Sequence, residues 1–154
     1  MRKILPSTLT AAMFIFAAAA HAQPTVEVLT TSGCGCCIGW MKHMEEHGFA
    51  TKPQNLAMGD LFQRKLQLGL KLGLTSCHTG LVEGYVVEGH VPAPEVARLL
   101  EERPEAIGLV VPDMPYGSPG MGEPGPDAEA YNVLLLRKDG STEVFARYPK
   151  SSEL

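Results

Sequence analysis

Apolar and polar residues alternate from Thr25 to Thr30, with branched side chains on one face, and this period of two predicts a first strand. Thr31-Ser32-Gly33 breaks the pattern, and a helix is predicted to begin within Cys34-Gly35-Cys36-Cys37 and run to His47, with Gly48 as its C-terminal stop. A short strand is expected from about Ala50 to Leu56. A second helix follows, capped by Asp60 with Gln63 three residues on, and Leu61, Phe62 and Leu66 form its apolar face. Between Leu81 and Val91 two short apolar runs flank Glu83-Gly84 and predict a strand or a tight hairpin. Pro94 suits the first turn of a third helix whose inner face is Val96, Leu99 and Leu100, and Pro104 ends it. Residues 112–127 hold five prolines and four glycines, which excludes regular structure there. Tyr131–Leu136 and Glu143–Tyr148 flank Lys138-Asp139-Gly140, a hairpin signal.

Strand, helix, strand, helix, strand-strand, helix is the order of an α/β thioredoxin-like sandwich, here with a C-terminal β-hairpin extension. In such a fold the first strand delivers a motif to the start of the first helix, which is where three cysteines stand.

The start of the chain has a different pattern. Arg2 and Lys3 precede an apolar run from Leu9 to Ala20, and Ala20-His21-Ala22 places small residues around a cut before Gln23. That order predicts a secretory signal peptide over residues 1–22, cleaved after Ala22, and an exported single domain over 23–154. The apolar run is shorter than the ~20 residues of a spanning helix, and no cysteine stands at the cut, so no membrane anchor is expected. Loss of Arg2 and Lys3 takes the basic count from 13 to 11 against 17 acidic residues, and the formal charge from −4 to −6. An acidic surface with no basic run gives no footprint for nucleic acid.

The four cysteines carry the chemistry. Cys34-x-x-Cys37 matches a thioredoxin-type redox motif, and a helix N-terminus favours the thiolate that serves as both nucleophile and metal ligand. Structural disulfides are one reading, natural for an exported chain. Of the three pairings, one bridges the neighbours Cys36 and Cys37, and the others crowd Cys36 against a second bridge. A thiol–disulfide oxidoreductase using Cys34 and Cys37 is another, and it leaves Cys36 and Cys77 without a role. A metal site uses Cys34, Cys36, Cys37 and Cys77 together. Three adjacent thiols and one remote thiol suit bridging sulfurs better than a closed zinc tetrahedron. Copper(I), held by several bridging thiolates, is therefore the first expectation and zinc the second.

Other residues are weighed around this cluster. His78 beside Cys77, His90 before Val91-Pro92, and Met114 and Met121 on the Pro/Gly-rich loop are candidate supporting groups, the two thioethers as a lid. Met41 and Met44 read as core, and His43 and His47 as a partly exposed packing face with Trp40.

Cys34-Gly-Cys-Cys37, Ser76-Cys-His-Thr-Gly80, Gly84-Tyr-Val-Val-Glu-Gly-His-Val-Pro92 and Met114-Pro-Tyr-Gly-Ser-Pro-Gly-Met121 resemble the CopG-type periplasmic copper-resistance proteins. The resemblance runs from about Val26 to Tyr148. It implies a thioredoxin-like fold, a copper cluster bridged by Cys34, Cys36, Cys37 and Cys77, and a redox role interconverting copper(I) and copper(II). The sequence departs from the expected pattern at Gly80, where alanine is expected, and at Asp113, where glycine is expected before Met-Pro. Three functions follow: a copper-resistance protein with possible copper oxidoreductase activity, a thiol–disulfide oxidoreductase, and a passive copper store or chaperone. Copper ions are the expected partners of the first, with other periplasmic copper-handling or electron-transfer proteins.

Overall fold

The computed structural model describes residues 23–150, so the leader expected at 1–22, with His21, lies outside the described residues. The elements are β1 (Thr25–Thr30), α1 (Gly35–Glu46), β2 (Ala50–Asn55), α2 (Met58–Gln67), a 3-10 turn (Leu72–Leu74), β3 (Thr79–Val82) and β4 (Tyr85–Glu88). α3 (Ala93–Glu102), β5 (Gly108–Val110), β6 (Tyr131–Leu136) and β7 (Thr142–Tyr148) complete the chain. The strands form one seven-stranded sheet in the order β2-β1-β3-β4-β5-β6-β7. β1 pairs with β2 in parallel across the α1 crossover, and β3 and β4 form a hairpin beside it.

Side chains alternate across the sheet, and the two faces bury separate apolar sets. Val26, Val82, Val87, Leu109, Val133 and Leu135 join Trp40 and Met44 of α1 and Val96 and Leu99 of α3 in the larger core. Their neighbours Val86, Val110 and Leu136 point the other way and pack with Leu70, which follows α2. Trp40 is fully buried and donates its indole N–H to the Val91 carbonyl at 2.8 Å, so the first helix is tied to the turn after β4. A buried indole of this size contributes about 4–6 kcal/mol of apolar burial.

Three expectations change. The second helix begins at Met58, with Ala57 at the cap position and no side-chain cap, so Asp60 lies inside its first turn, where its charge faces the positive helix end. Its inner face is Leu61 and Lys65, while Leu66 is exposed. Lys65 is buried because its ammonium meets Glu88 at 2.5 Å and Thr79 at 2.8 Å. The C-terminal hairpin is no appendage: β5, unmarked by any alternation, pairs in parallel with β4 and antiparallel with β6, and so joins β6 and β7 to the main sheet.

The Pro/Gly-rich segment 112–127 has no helix or strand, as its composition predicts, yet it packs closely on α1. A Cβ on Gly120 would lie 2.5 Å from the Cys36 carbonyl oxygen and 2.6 Å from the Trp40 nitrogen, and one on Gly39 would lie 3.0 Å from Gly120 Cα. Two glycines, one on each surface, permit this backbone-to-backbone approach.

Candidate metal centre

β1 ends at Thr30, and the turn through Gly33 sets Cys34 at the N-cap of α1. No side chain caps this end, so the first-turn N–H groups of the helix face the cysteines with the positive end of its dipole. Cys77 arrives from the segment between the 3-10 turn and β3, which the β1–β3 pairing brings alongside. The four sulfurs lie within 4.8 Å of one another. Cys34 and Cys37 are joined as a disulfide, and Cys36 and Cys77 are free thiols with their sulfurs 3.5 Å apart. Cys36 also lies 3.6 Å from the Cys34 sulfur.

A second donor set shares Cys77. Its sulfur is 3.4 Å from His78 Nδ1 and 3.3 Å from His90 Nε2. The His90 Nδ1 meets the Pro119 carbonyl oxygen at 2.8 Å, and a carbonyl only accepts, so Nδ1 carries the proton. In the neutral ring Nε2 is then a bare lone pair aimed at Cys77. Burial holds both imidazoles below the usual histidine range, with each other's proximity and Lys65 adding to the effect on His78. Burial pushes the Cys77 thiol up to about 12, with Cys36 adding to it. In the absence of a cation this pocket therefore holds a neutral thiol and two neutral imidazoles. A cation reverses that preference by favouring the thiolate. His78 Nε2 is buried with no hydrogen-bond partner among the described residues.

The loop that carries Cys77 is clamped from below. Glu88 is fully buried on β4 and accepts the Ser76 N–H at 2.6 Å and the Thr79 hydroxyl at 2.6 Å, on either side of Cys77 and His78. Burial raises the Glu88 carboxyl above the usual range, and its lysine and hydroxyl partners oppose that shift. From above, the Ser76 hydroxyl donates to the Asp113 carbonyl at 3.0 Å. Asp113 adopts φ +62, a left-handed conformation that glycine takes freely and aspartate tolerates better than most residues. This accounts for glycine being the residue expected there.

The structure thus brings together Cys34, Cys36, Cys37, Cys77, His78 and His90. Met114 is half-exposed and lines a cavity that Cys77 also lines. Met121 lies in a turn where its N–H donates to Ser118 and its carbonyl accepts from Gly117, apart from that cavity. Met44 is in the core and Met41 packs against it. His43 accepts the Ala93 N–H at the start of α3, and His47 is exposed. Sequence reasoning missed Glu88 and Lys65, whose roles depend on being buried against each other, and the Pro119 carbonyl, a backbone group that no side-chain pattern marks.

A mixed α/β domain with a thiol and imidazole cluster at the start of its first helix belongs to the proteins equipped to hold a soft metal ion. Two solved structures are similar to it over most of its length. "Copper resistance protein copG- Form 1" is 42% identical, with 82% of this chain and 99% of that chain covered and a TM-score of 0.75. "Copper resistance protein copG- Form 2" is 41% identical with the same coverage and TM-score. A family described as "Protein of unknown function, DUF411" matches residues 74–121. No curated protein matches. The chain belongs to the CopG copper-resistance family, and its cysteine cluster fits copper handling.

Proposed function

We propose that this chain is an exported periplasmic protein of copper resistance, cleaved after Ala22, that binds copper(I) as cargo on Cys34, Cys36, Cys37 and Cys77. The observation that carries this reading is the convergence of four sulfurs from two distant segments within 4.8 Å. Thiolates shared between ions hold more than one copper(I) on few ligands, and the geometry is less suited to a single zinc ion. The order β2-β1-β3-β4, with its parallel and antiparallel pairs, supports a thioredoxin-like core. His90 supports the cluster through the Nε2 lone pair beside Cys77 and His78 through an imidazole nitrogen 3.4 Å from the same sulfur, and Met114 is closer to that role than Met121.

The disulfide supplies a redox route. Two copper(II) ions each take one electron from the Cys34 and Cys37 thiolates, giving two copper(I) ions and the Cys34–Cys37 bond. Cys36 and Cys77 remain as thiols to hold product, and an external dithiol or electron-transfer protein restores the pair. Anaerobic loading with copper(I) after reduction of the Cys34–Cys37 disulfide is expected to give more than one copper per chain, and Cys77→Ser to lower that number. One copper or none in the parent chain refutes the cluster.

The disulfide also favours a second reading, a thiol–disulfide oxidoreductase. That reading requires dithiol-dependent disulfide reduction that survives Cys77→Ser, and absence of such activity in a copper-binding chain excludes it. A passive store differs from the redox protein in leaving the rate of interconversion between copper(II) and copper(I) unchanged.

A further inference from the structure

A cavity of about 440 Å³ opens beside the cluster, between the start of α2, the Cys77 loop and the loop after β5. Its wall includes the Cys77 residue, and Met58 and Met114 both line it. These two are among the most exposed large apolar side chains of the described residues, at 69% and 49%. Methionine is usually buried, so two exposed thioethers on the rim of one cavity call for a reason beyond packing. Met58 is the first residue of α2, and Met114 is held out by the left-handed Asp113 and the Ser76 bond to its carbonyl. The two residues thus come from separate elements and line the same cavity as Cys77.

We propose that Met58 and Met114 form a thioether entry site for copper(I), from which the ion passes to Cys77; this rests on the copper reading of the cysteine cluster. Thioethers select copper(I) over hard cations, and being neutral they bind it more weakly than thiolates, so the ion moves inward. Asp113 lines the same cavity, and its negative charge there favours a cation. Lys65 also lines the cavity, but its ammonium is engaged by Glu88 and Thr79.

The test has two arms. In the full mature chain with 13C-methyl methionine, silver(I) serves as a redox-silent copper(I) analogue. The Met58 and Met114 methyl resonances are expected to shift together, while those of buried Met44 and of Met121 stay. Stopped-flow transfer from a copper(I)–bicinchoninate complex is then compared for the parent chain and for Met58→Leu/Met114→Leu, with Met121→Leu as control. The double variant is expected to load about tenfold more slowly, the order by which losing a group around a metal site changes its behaviour, and to hold the same final copper. Unshifted methyls, or an unchanged loading rate, overturn the entry site while the cysteine site stands. A lower final copper content in the double variant makes the thioethers resident ligands and also overturns it. A parent chain that binds no copper(I) on its thiols refutes the copper reading instead, and the methyl shifts still report on the thioether pair.

Discussion

Glu88→Gln removes one charge from a pair with no solvent to replace it. The Lys65 and Glu88 side chains are 3% and 0% exposed, with nitrogen and oxygen 2.5 Å apart. The same carboxylate receives the Ser76 N–H and the Thr79 hydroxyl. An amide keeps the shape and one acceptor oxygen, yet it leaves the Lys65 ammonium buried without a counter-charge. Breaking a buried pair from one side costs about 3–5 kcal/mol. The midpoint of thermal unfolding is expected to fall by roughly 10–20 °C. Urea unfolding of the copper-free chain at pH 7 reads the loss. Lys65→Met combined with Glu88→Gln is expected to regain most of the loss, because no unpaired charge remains. A loss below about 1 kcal/mol, the scale of exposed pairs, refutes the reasoning.

Three further outcomes are expected. Burial first, then His47, lowers His43 to about 4 from 6.5, so its share of stability is present above pH 6.5 and is lost as pH falls towards 4. His43→Gln keeps an acceptor for the Ala93 N–H and should flatten that limb of the unfolding curve without changing the neutral plateau. Gly120→Ala places a methyl against the Cys36 carbonyl and the Trp40 nitrogen at φ +86, and should cost about 1–3 kcal/mol in urea unfolding. Gly35→Ala, which meets nothing within 4 Å, should not destabilise. Gly80→Ala restores the residue expected from the family resemblance, yet its Cβ would sit 2.9 Å from Val26 Cγ1 and 3.1 Å from Trp40 Cη2. It should cost about 1–2 kcal/mol alone and much less with Val26→Ala, which a double-mutant cycle would read as coupling.

The helices were legible because their apolar spacing is local: Met44 on α1, Val96 and Leu99 on α3. Trp40, read with His43 and His47 on a partly exposed face, is instead fully buried in the core, where its indole N–H reaches the Val91 carbonyl. The β3–β4 hairpin was legible through Glu83-Gly84, whose residues both take positive φ. β5 was not, since Gly108-Leu109-Val110 is three residues buried on both faces and has no alternation to detect. Lys65 was missed because nothing local marks a helix lysine as buried, and its partner Glu88 is 23 residues away. At the site, Cys77 was placed by topology and His78 by adjacency. His90 needed the β3–β4 turnback, and Met58 carried no signal at all, because its significance lies in the cavity it shares with residues of three other segments.

The packing of Gly120 on α1 ties the binding site to the order in which the chain is completed. Cys36 and Cys77 are 41 residues apart, Trp40 and Val91 are 51 apart, and His90 and Pro119 are 29 apart. Each closure has an entropic cost that only the finished sheet repays. An unfolded or half-threaded chain therefore carries Cys34, Cys36 and Cys37 side by side but apart from Cys77, His78 and His90. The full donor set, in which Cys77, His78 and His90 join the three adjacent cysteines, therefore belongs to the completed sheet and to no earlier stage of the chain.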